Sequence, residues 1–108
     1  MQNSAYQRSC TIMSKSIIKN NQKNVCFICR KVAPTENHHI FGGANRKRAD
    51  RDGLTVYLCH NCHNEPPNGV HFNNERNERL KRIGQRTWMQ VYGKTKEDFI
   101  KAYGRNYL

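Results

Sequence analysis

The stretch LTVYLCHNCHN, residues 54–64, joins the clearest strand signal of the chain to a metal-binding motif. The β-branched and aromatic residues of LTVYLC are typical of a β-strand, and the pair Cys59-x-x-Cys62 follows without a break. A second pair, Cys26-x-x-Cys29, precedes it in the chain, with 29 residues between Cys29 and Cys59. Zn²⁺ favours tetrahedral thiolate coordination, and a C-x-x-C turn brings two sulfurs within reach of one ion. The spacing therefore predicts a structural zinc site closed by four cysteines.

Two other interpretations of the cysteines are weaker. A C-x-x-C pair also marks thioredoxin-like dithiols, but that site needs a pair that opens a helix within a βαβ pattern, which this sequence lacks. Cys10 stands alone in a polar stretch, and we expect an ordinary free thiol there. Because only 36% of the 108 residues are apolar, the hydrophobic core is thin, and a bound ion could contribute several kcal/mol to folding.

The charge of the chain favours an anionic partner. Nineteen Lys and Arg residues against eight Asp and Glu residues give a formal net charge of +11, which suits nucleic acid. The alternative is a basic protein whose charge is incidental. No apolar run approaches the roughly 18 residues that a membrane span needs, and we find no secretory signal peptide. We therefore expect a soluble protein of the cytoplasm, with no membrane partner.

The order of sequence patterns predicts one domain preceded by an arm. Residues 1–22 are polar and unpatterned, so we expect a poorly ordered arm, with the domain spanning 23–108. We call the two C-x-x-C turns the first knuckle (Cys26–Cys29) and the second knuckle (Cys59–Cys62). VCFICRKVAP, residues 25–34, predicts two short strands around the first knuckle, and ENHHIF, residues 36–41, predicts another strand. The basic segment ANRKRADRDG, residues 44–53, and the segment NEPPNGV, residues 64–70, predict loops.

The last third of the chain is helical in pattern. After about residue 74, a set of residues recurs at three- and four-residue spacing and should face the core: Leu80, Ile83, Thr87, Trp88 and Val91. Gly93 should end this helix. A capping box at Thr95-x-x-Asp98 then predicts a shorter helix that stops at Gly104.

Histidines supply a second group of possible ligands. His38 and His39 are adjacent on a predicted strand, so their side chains should point to opposite faces. One could then hold a metal ion while the other faces water, although two ordinary strand histidines remain the alternative. His63 directly follows Cys62 and should be held rigidly by the knuckle, whereas His60 should be solvated.

These motifs resemble a known family. The order C-F-I-C, then H-H-I, then L-C-H-N-C-H resembles the HNH endonucleases, which have a zinc-stapled ββα-metal fold. More narrowly, HHIFGGANRKRADRDGL, VYLCHNCHN and GVHFN resemble the phage recombination-enhancement (RecA-dependent) nucleases and related small phage HNH proteins. The resemblance covers about residues 24–108. It implies an α+β fold with a treble-clef-like core and C-terminal helices.

The resemblance also implies roles for the histidines. His39 matches the general base of the family, and His38 and His63 match ligands of a catalytic divalent ion. His71 could add a further ligand, because GVHFN recurs in the narrower family. The implied activity is hydrolysis of phosphodiester bonds in DNA during phage recombination or DNA processing in a bacterial host, with Mg²⁺ or Mn²⁺ as the catalytic ion. A RecA-type recombinase filament is an implied partner.

One position departs from the family pattern. HNH proteins usually carry an Asn just before the Leu of the second strand, where it helps to orient the base, but Gly53 stands here. We therefore expect Asn45 or a backbone carbonyl to hold His39 instead. The neighbouring basic residues are expected to bind phosphates; they are Arg46, Lys47, Arg48 and Arg51.

Two other functions fit the same sequence. The chain could be a catalytically silent zinc domain that binds DNA or a recombination protein. It could also be a zinc-stapled interaction module that does not bind DNA. Loss of plasmid nicking on removal of His39 would separate the nuclease from the first alternative, and DNA affinity at low salt would separate it from the second.

Overall fold

Two antiparallel strands and four α-helices form the α+β fold of residues 15–108, the part of the chain that the computed structural model describes. Residues 1–14, which include Cys10 and most of the expected arm, lie outside this part. The elements in chain order are β1 (Glu36–His39), a 3₁₀ turn (Gly43–Asn45), α1 (Arg46–Asp52), β2 (Thr55–Leu58), α2 (His60–Asn64), α3 (Asn74–Tyr92) and α4 (Lys96–Tyr103).

The two strands form one small sheet whose register places the histidines. β1 pairs with β2 so that His38 lies opposite Val56 and His39 opposite Thr55. β2 leads directly to Cys59, as the opening motif predicted, and the chain then forms the short helix α2. The strands expected around the first knuckle are reduced to isolated bridges, of which Val25 with Val32 is one.

The basic segment after β1 is a helix, and the prediction of a loop over residues 44–53 was wrong. Arg, Lys and Ala are good helix formers, and no Gly or Pro interrupts Arg46–Asp52. The helix ends at Gly53, which adopts the left-handed conformation with φ 78°. The basic side chains therefore project from a rigid helix rather than from a flexible loop.

Gly53 is required by its surroundings. A Cβ atom at this position would lie 2.5 Å from the carbonyl oxygen of Lys15, and its positive φ disfavours other residues. The amide of Ile17 also donates to the Gly53 carbonyl at 2.8 Å. The Asn typical of the HNH pattern therefore has no room here.

Residues 15–22, which we expected in the disordered arm, pack against the outer edge of β2. The Asn21 side chain donates to the Thr55 carbonyl at 3.1 Å and accepts from the Tyr57 amide at 2.9 Å. The Asn21 side chain therefore occupies two backbone groups at the edge of β2 that β1 does not cover. Ile18 is buried in the core. Residues 15–22 are therefore packed on the fold.

The two C-terminal helices end at glycines, as predicted. Gly93 and Gly104 are left-handed C-caps, and Thr95 forms a capping box with Asp98. Three buried residues of α3 follow a four-residue spacing, Leu80, Gly84 and Trp88, and Gln85 beside them is also buried. Val91, which we expected in the core, is 51% exposed because it lies in the last turn of α3, where Tyr92 is also 42% exposed.

A close helix contact holds the chain just after β1. A Cβ atom on Gly84 would lie only 3.0 Å from the Phe41 ring and 3.1 Å from Ile40, so a glycine lets α3 approach this segment. The Phe41 ring also packs against Phe99 and Tyr103 of α4, with centroids 5.5 and 5.0 Å apart. Both helices therefore help to fix the position of the neighbouring His39.

Candidate metal centre and histidine cleft

The four cysteines predicted to bind zinc come together. Their sulfur atoms all lie within 4.8 Å of one another, and Cys29 Sγ is 3.9 Å from Cys59 Sγ. Tetrahedral zinc with Zn–S bonds near 2.3 Å would separate its sulfurs by about 3.8 Å. The cluster could therefore hold a metal ion such as zinc. Its members are Cys26, Cys29, Cys59 and Cys62.

Backbone groups shape the cysteine cluster. The Cys29 amide points at Cys26 Sγ over 3.5 Å, and the Phe27 amide donates to the Tyr57 carbonyl at 2.8 Å, which ties the first knuckle to β2. Burial opposes ionisation of the Cys26 thiol, but nearby backbone N–H groups outweigh it and lower its pKa to about 6. Burial raises the pKa of Cys62 to about 12. A bound cation would favour the thiolate form of all four ligands.

A second cluster contains three of the predicted histidines. The ligand nitrogens of His38, His63 and His71 lie within 4.8 Å of one another. The His38 side chain is only 5% exposed, and its Nε2 atom is buried without a hydrogen-bond partner in the described part of the chain. Burial lowers the pKa of His38 to about 3, so the ring is neutral near pH 7. A buried unpaired nitrogen is costly, and a metal ion would satisfy it.

Glu36 orients His63, and sequence reasoning missed it. Glu36 Oε1 lies 2.7 Å from His63 Nδ1 and accepts from the side-chain Nδ2 of Asn64 at 3.0 Å. If Nδ1–H donates to the carboxylate, Nε2 keeps its lone pair for a metal ion. His63 Nε2 faces His71 Nε2 at 3.1 Å. The hydrogen bonds from His63 and from exposed His60 lower the pKa of Glu36.

His39 contacts a different group, as alternation along the strand predicts. Its Nε2 atom lies 3.1 Å from Asp50 Oδ1. The expectation that Asn45 or a backbone carbonyl holds His39 was wrong, because Asn45 donates to the Tyr103 carbonyl and accepts from Arg48. Asp50 comes from α1, the segment that we expected to be a loop. No local motif marked it, and a helical interpretation of this segment would have been the only signal.

The histidines open onto a cleft of about 320 Å³. Its lining includes the three-histidine cluster, His39 and Arg46. Lys47 is exposed outside this cleft. Arg48 bonds to Asn45 and lies over the Tyr103 ring at 5.7 Å, and Arg51 pairs with Asp52 at 3.0 Å. Of the four basic residues expected to bind phosphate, the structure brings only Arg46 to the histidines.

Comparison of the chain with protein-family models, with curated proteins and with solved structures found no match. The interpretation of this site therefore depends on its geometry and chemistry. Within residues 15–108, no helix combines the length and the apolar character needed to cross a bilayer.

Proposed function

We propose that this protein is a metal-dependent DNA endonuclease of the HNH type, with a zinc-stapled ββα-metal core. One observation carries the proposal: the buried, unpaired Nε2 atom of His38 faces two other imidazoles in the cleft that also contains His39. The +11 net charge favours DNA as the polyanionic substrate. A role in phage recombination, with a RecA-type filament as partner, stays a prediction from the family resemblance.

The histidines and Arg46 of the cleft each have a part in the proposed hydrolysis. His38, His63 and His71 would hold the divalent ion, which supplies electrostatic stabilisation of the phosphate and of the leaving 3′-oxygen. With Nε2–H donated to Asp50, the Nδ1 atom of His39 can take a proton from water as the water oxygen attacks phosphorus. The P–O3′ bond then breaks, and the leaving oxygen takes a proton from solvent. Arg46 would bind the phosphate.

The ligand set narrows the choice of catalytic ion. Mg²⁺ prefers oxygen ligands, whereas Mn²⁺ and the later transition-metal ions bind imidazole nitrogen more readily than Mg²⁺ does. Three imidazoles meet at this site, and the nearest carboxylate, Glu36, is engaged by His63 and His60. We therefore propose Mn²⁺ rather than Mg²⁺ as the more effective ion.

The first test removes the most exposed histidine of the cluster. His71→Ala should raise the Mn²⁺ concentration needed for half-maximal nicking of supercoiled plasmid by roughly tenfold or more, because one of three ligands is removed. Phe72→Ala is the matched control, since it removes an exposed aromatic ring next to His71 that lies outside the cluster. Equal metal requirements for the two variants would contradict the assignment of His71.

Asp50→Asn tests the group that holds His39. An amide is close in shape to a carboxylate, but it stabilises a protonated imidazole less well and can favour the wrong tautomer. We expect kcat for plasmid nicking to fall by roughly tenfold or more, with little change in KM. The pH–rate profile should also change, because the proton acceptor is altered. A change in KM without a change in kcat would show that Asp50 acts elsewhere.

The alternative function, a catalytically silent zinc domain, accounts for fewer of the observed contacts than the nuclease function does. Such a domain would need the cysteine cluster and a basic surface, but not three converging imidazoles beside a His39–Asp50 pair. Failure of wild-type protein to nick plasmid with either Mn²⁺ or Mg²⁺, despite DNA binding, would favour the silent domain.

A further inference from the structure

A second, larger cleft lies beside the histidine cleft. Its volume is about 590 Å³, and it is lined in part by Lys15, Lys23, Asn37, Asp50 and Tyr57. Asn37 lines both clefts. Asp50 joins them chemically, because its carboxylate contacts His39. The two clefts are therefore neighbouring parts of one surface.

The floor of the second cleft is held by hydrogen bonds within the fold. Ser16 Oγ donates to the Thr55 carbonyl at 2.6 Å, and Asn21 bonds to both Thr55 and Tyr57. Thr35 Oγ1 accepts from the Asn24 amide at 2.9 Å. These polar groups are thus engaged, and the shape of the cleft is formed before any ligand arrives.

Other groups at the cleft are free to meet a ligand. Among residues 15–108, neither Lys15 nor Lys23 has an ion-pair partner, and the side chains of Asn37 and Tyr57 make no hydrogen bond. Together they offer two ammonium groups, one amide and one half-buried aromatic ring. Phosphate, the polar edge of a base and its π-face match these three kinds of group. The acidic residue that lines the cleft, Asp50, is paired with His39.

The position of Asn37 relates this cleft to the reaction site. Asn37 precedes His39 by two residues on β1, so the two side chains leave the same face of the strand roughly 7 Å apart. A DNA strand with its scissile phosphate at the histidines would therefore reach the second cleft with a neighbouring nucleotide. In a duplex, that base would have to leave the stack first.

We propose that the second cleft binds one unpaired nucleotide next to the scissile phosphate, so that single-stranded or locally unpaired DNA is the preferred substrate. The inference rests on the proposed nuclease function for its place in the reaction. The binding of a single strand can nevertheless be measured without cleavage.

Binding should be measured by fluorescence anisotropy with the full chain carrying His39→Ala, so that the DNA stays intact. On this background, K15Q/K23Q should weaken binding to a single-stranded oligonucleotide by roughly tenfold. It should also flatten the salt dependence by about 0.7 for each phosphate that the protein no longer neutralises. K94Q/K96Q removes the same charge from exposed lysines outside the cleft and is the matched control. Equal effects of the two double variants overturn the proposal.

The aromatic ring gives a second, charge-neutral test. Tyr57→Leu should weaken single-strand binding by roughly tenfold because a stacking face is removed, whereas Tyr57→Phe should retain it. Wild-type protein should cut a duplex with one unpaired nucleotide faster than the fully paired duplex. Affinity for the single strand no higher than for the duplex overturns the proposal. Specific single-strand binding without any cleavage supports the cleft as a binding site while removing the nuclease function.

Discussion

His39→Ala should lower the rate of DNA cleavage by at least a hundredfold while leaving DNA affinity within about twofold of wild type. A positioned general base contributes roughly 10²–10⁴ to a rate, and alanine removes the only imidazole that Asp50 contacts within residues 15–108. The metal ligands and Arg46 stay in place, so binding of the phosphate should persist. Nicking of supercoiled plasmid with Mn²⁺ and anisotropy with labelled DNA measure the two quantities.

Measurements of structure and stability will show whether the loss of cleavage by His39→Ala comes from lost catalysis or from lost folding. His39 is partly exposed, so its truncation should leave the circular dichroism spectrum and the thermal midpoint nearly unchanged. Phe72→Ala, which removes an exposed ring outside the histidine cluster, should retain wild-type nicking and serves as the control. Equal nicking by His39→Ala and wild type would contradict the enzyme assignment and would favour a DNA-binding module.

The cysteine cluster and the two paired strands, β1 and β2, were predictable because their signals are local. A C-x-x-C turn fixes two sulfurs within four residues, and the LTVYLC pattern fixes the strand that carries Cys59. The meeting of His38 with His63 also follows from the sequence, since one strand pairing and one knuckle determine it. These features depend on few contacts between distant segments.

The supporting groups were not predictable because each depends on tertiary context. Asp50 reaches His39 only if the basic segment becomes α1, and its charged residues favoured a loop interpretation as readily as a helix. Glu36 is an ordinary acidic residue until the register places it opposite Leu58, beside the knuckle. Asn21 acts as a substitute strand only after β2 has formed. In each case, an ordinary polar residue gains its role from a contact with a distant segment.

Cys26→Ser should remove the zinc ion and unfold most of the chain. Cys26 is fully buried within the cluster, and the cluster ties the first knuckle to β2 and α2. Structural zinc sites in small domains contribute an apparent ~10 kcal/mol or more, which is comparable to the whole stability of a small domain, about 5–15 kcal/mol. We expect less than about 0.2 zinc per chain by elemental analysis and loss of the cooperative thermal transition.

The variant Cys29→Ser makes this prediction specific to metal binding. Cys29 is exposed, so serine there disturbs packing little, yet it removes a ligand as surely as Cys26→Ser does. Both variants should therefore lose zinc, and excess zinc should restore structure to Cys29→Ser more readily. Cys10 belongs to neither C-x-x-C pair, so Cys10→Ser and the wild type should each bind one zinc per chain. A folded, zinc-free wild-type protein would show that packing alone sustains the fold and would contradict the four-thiolate site.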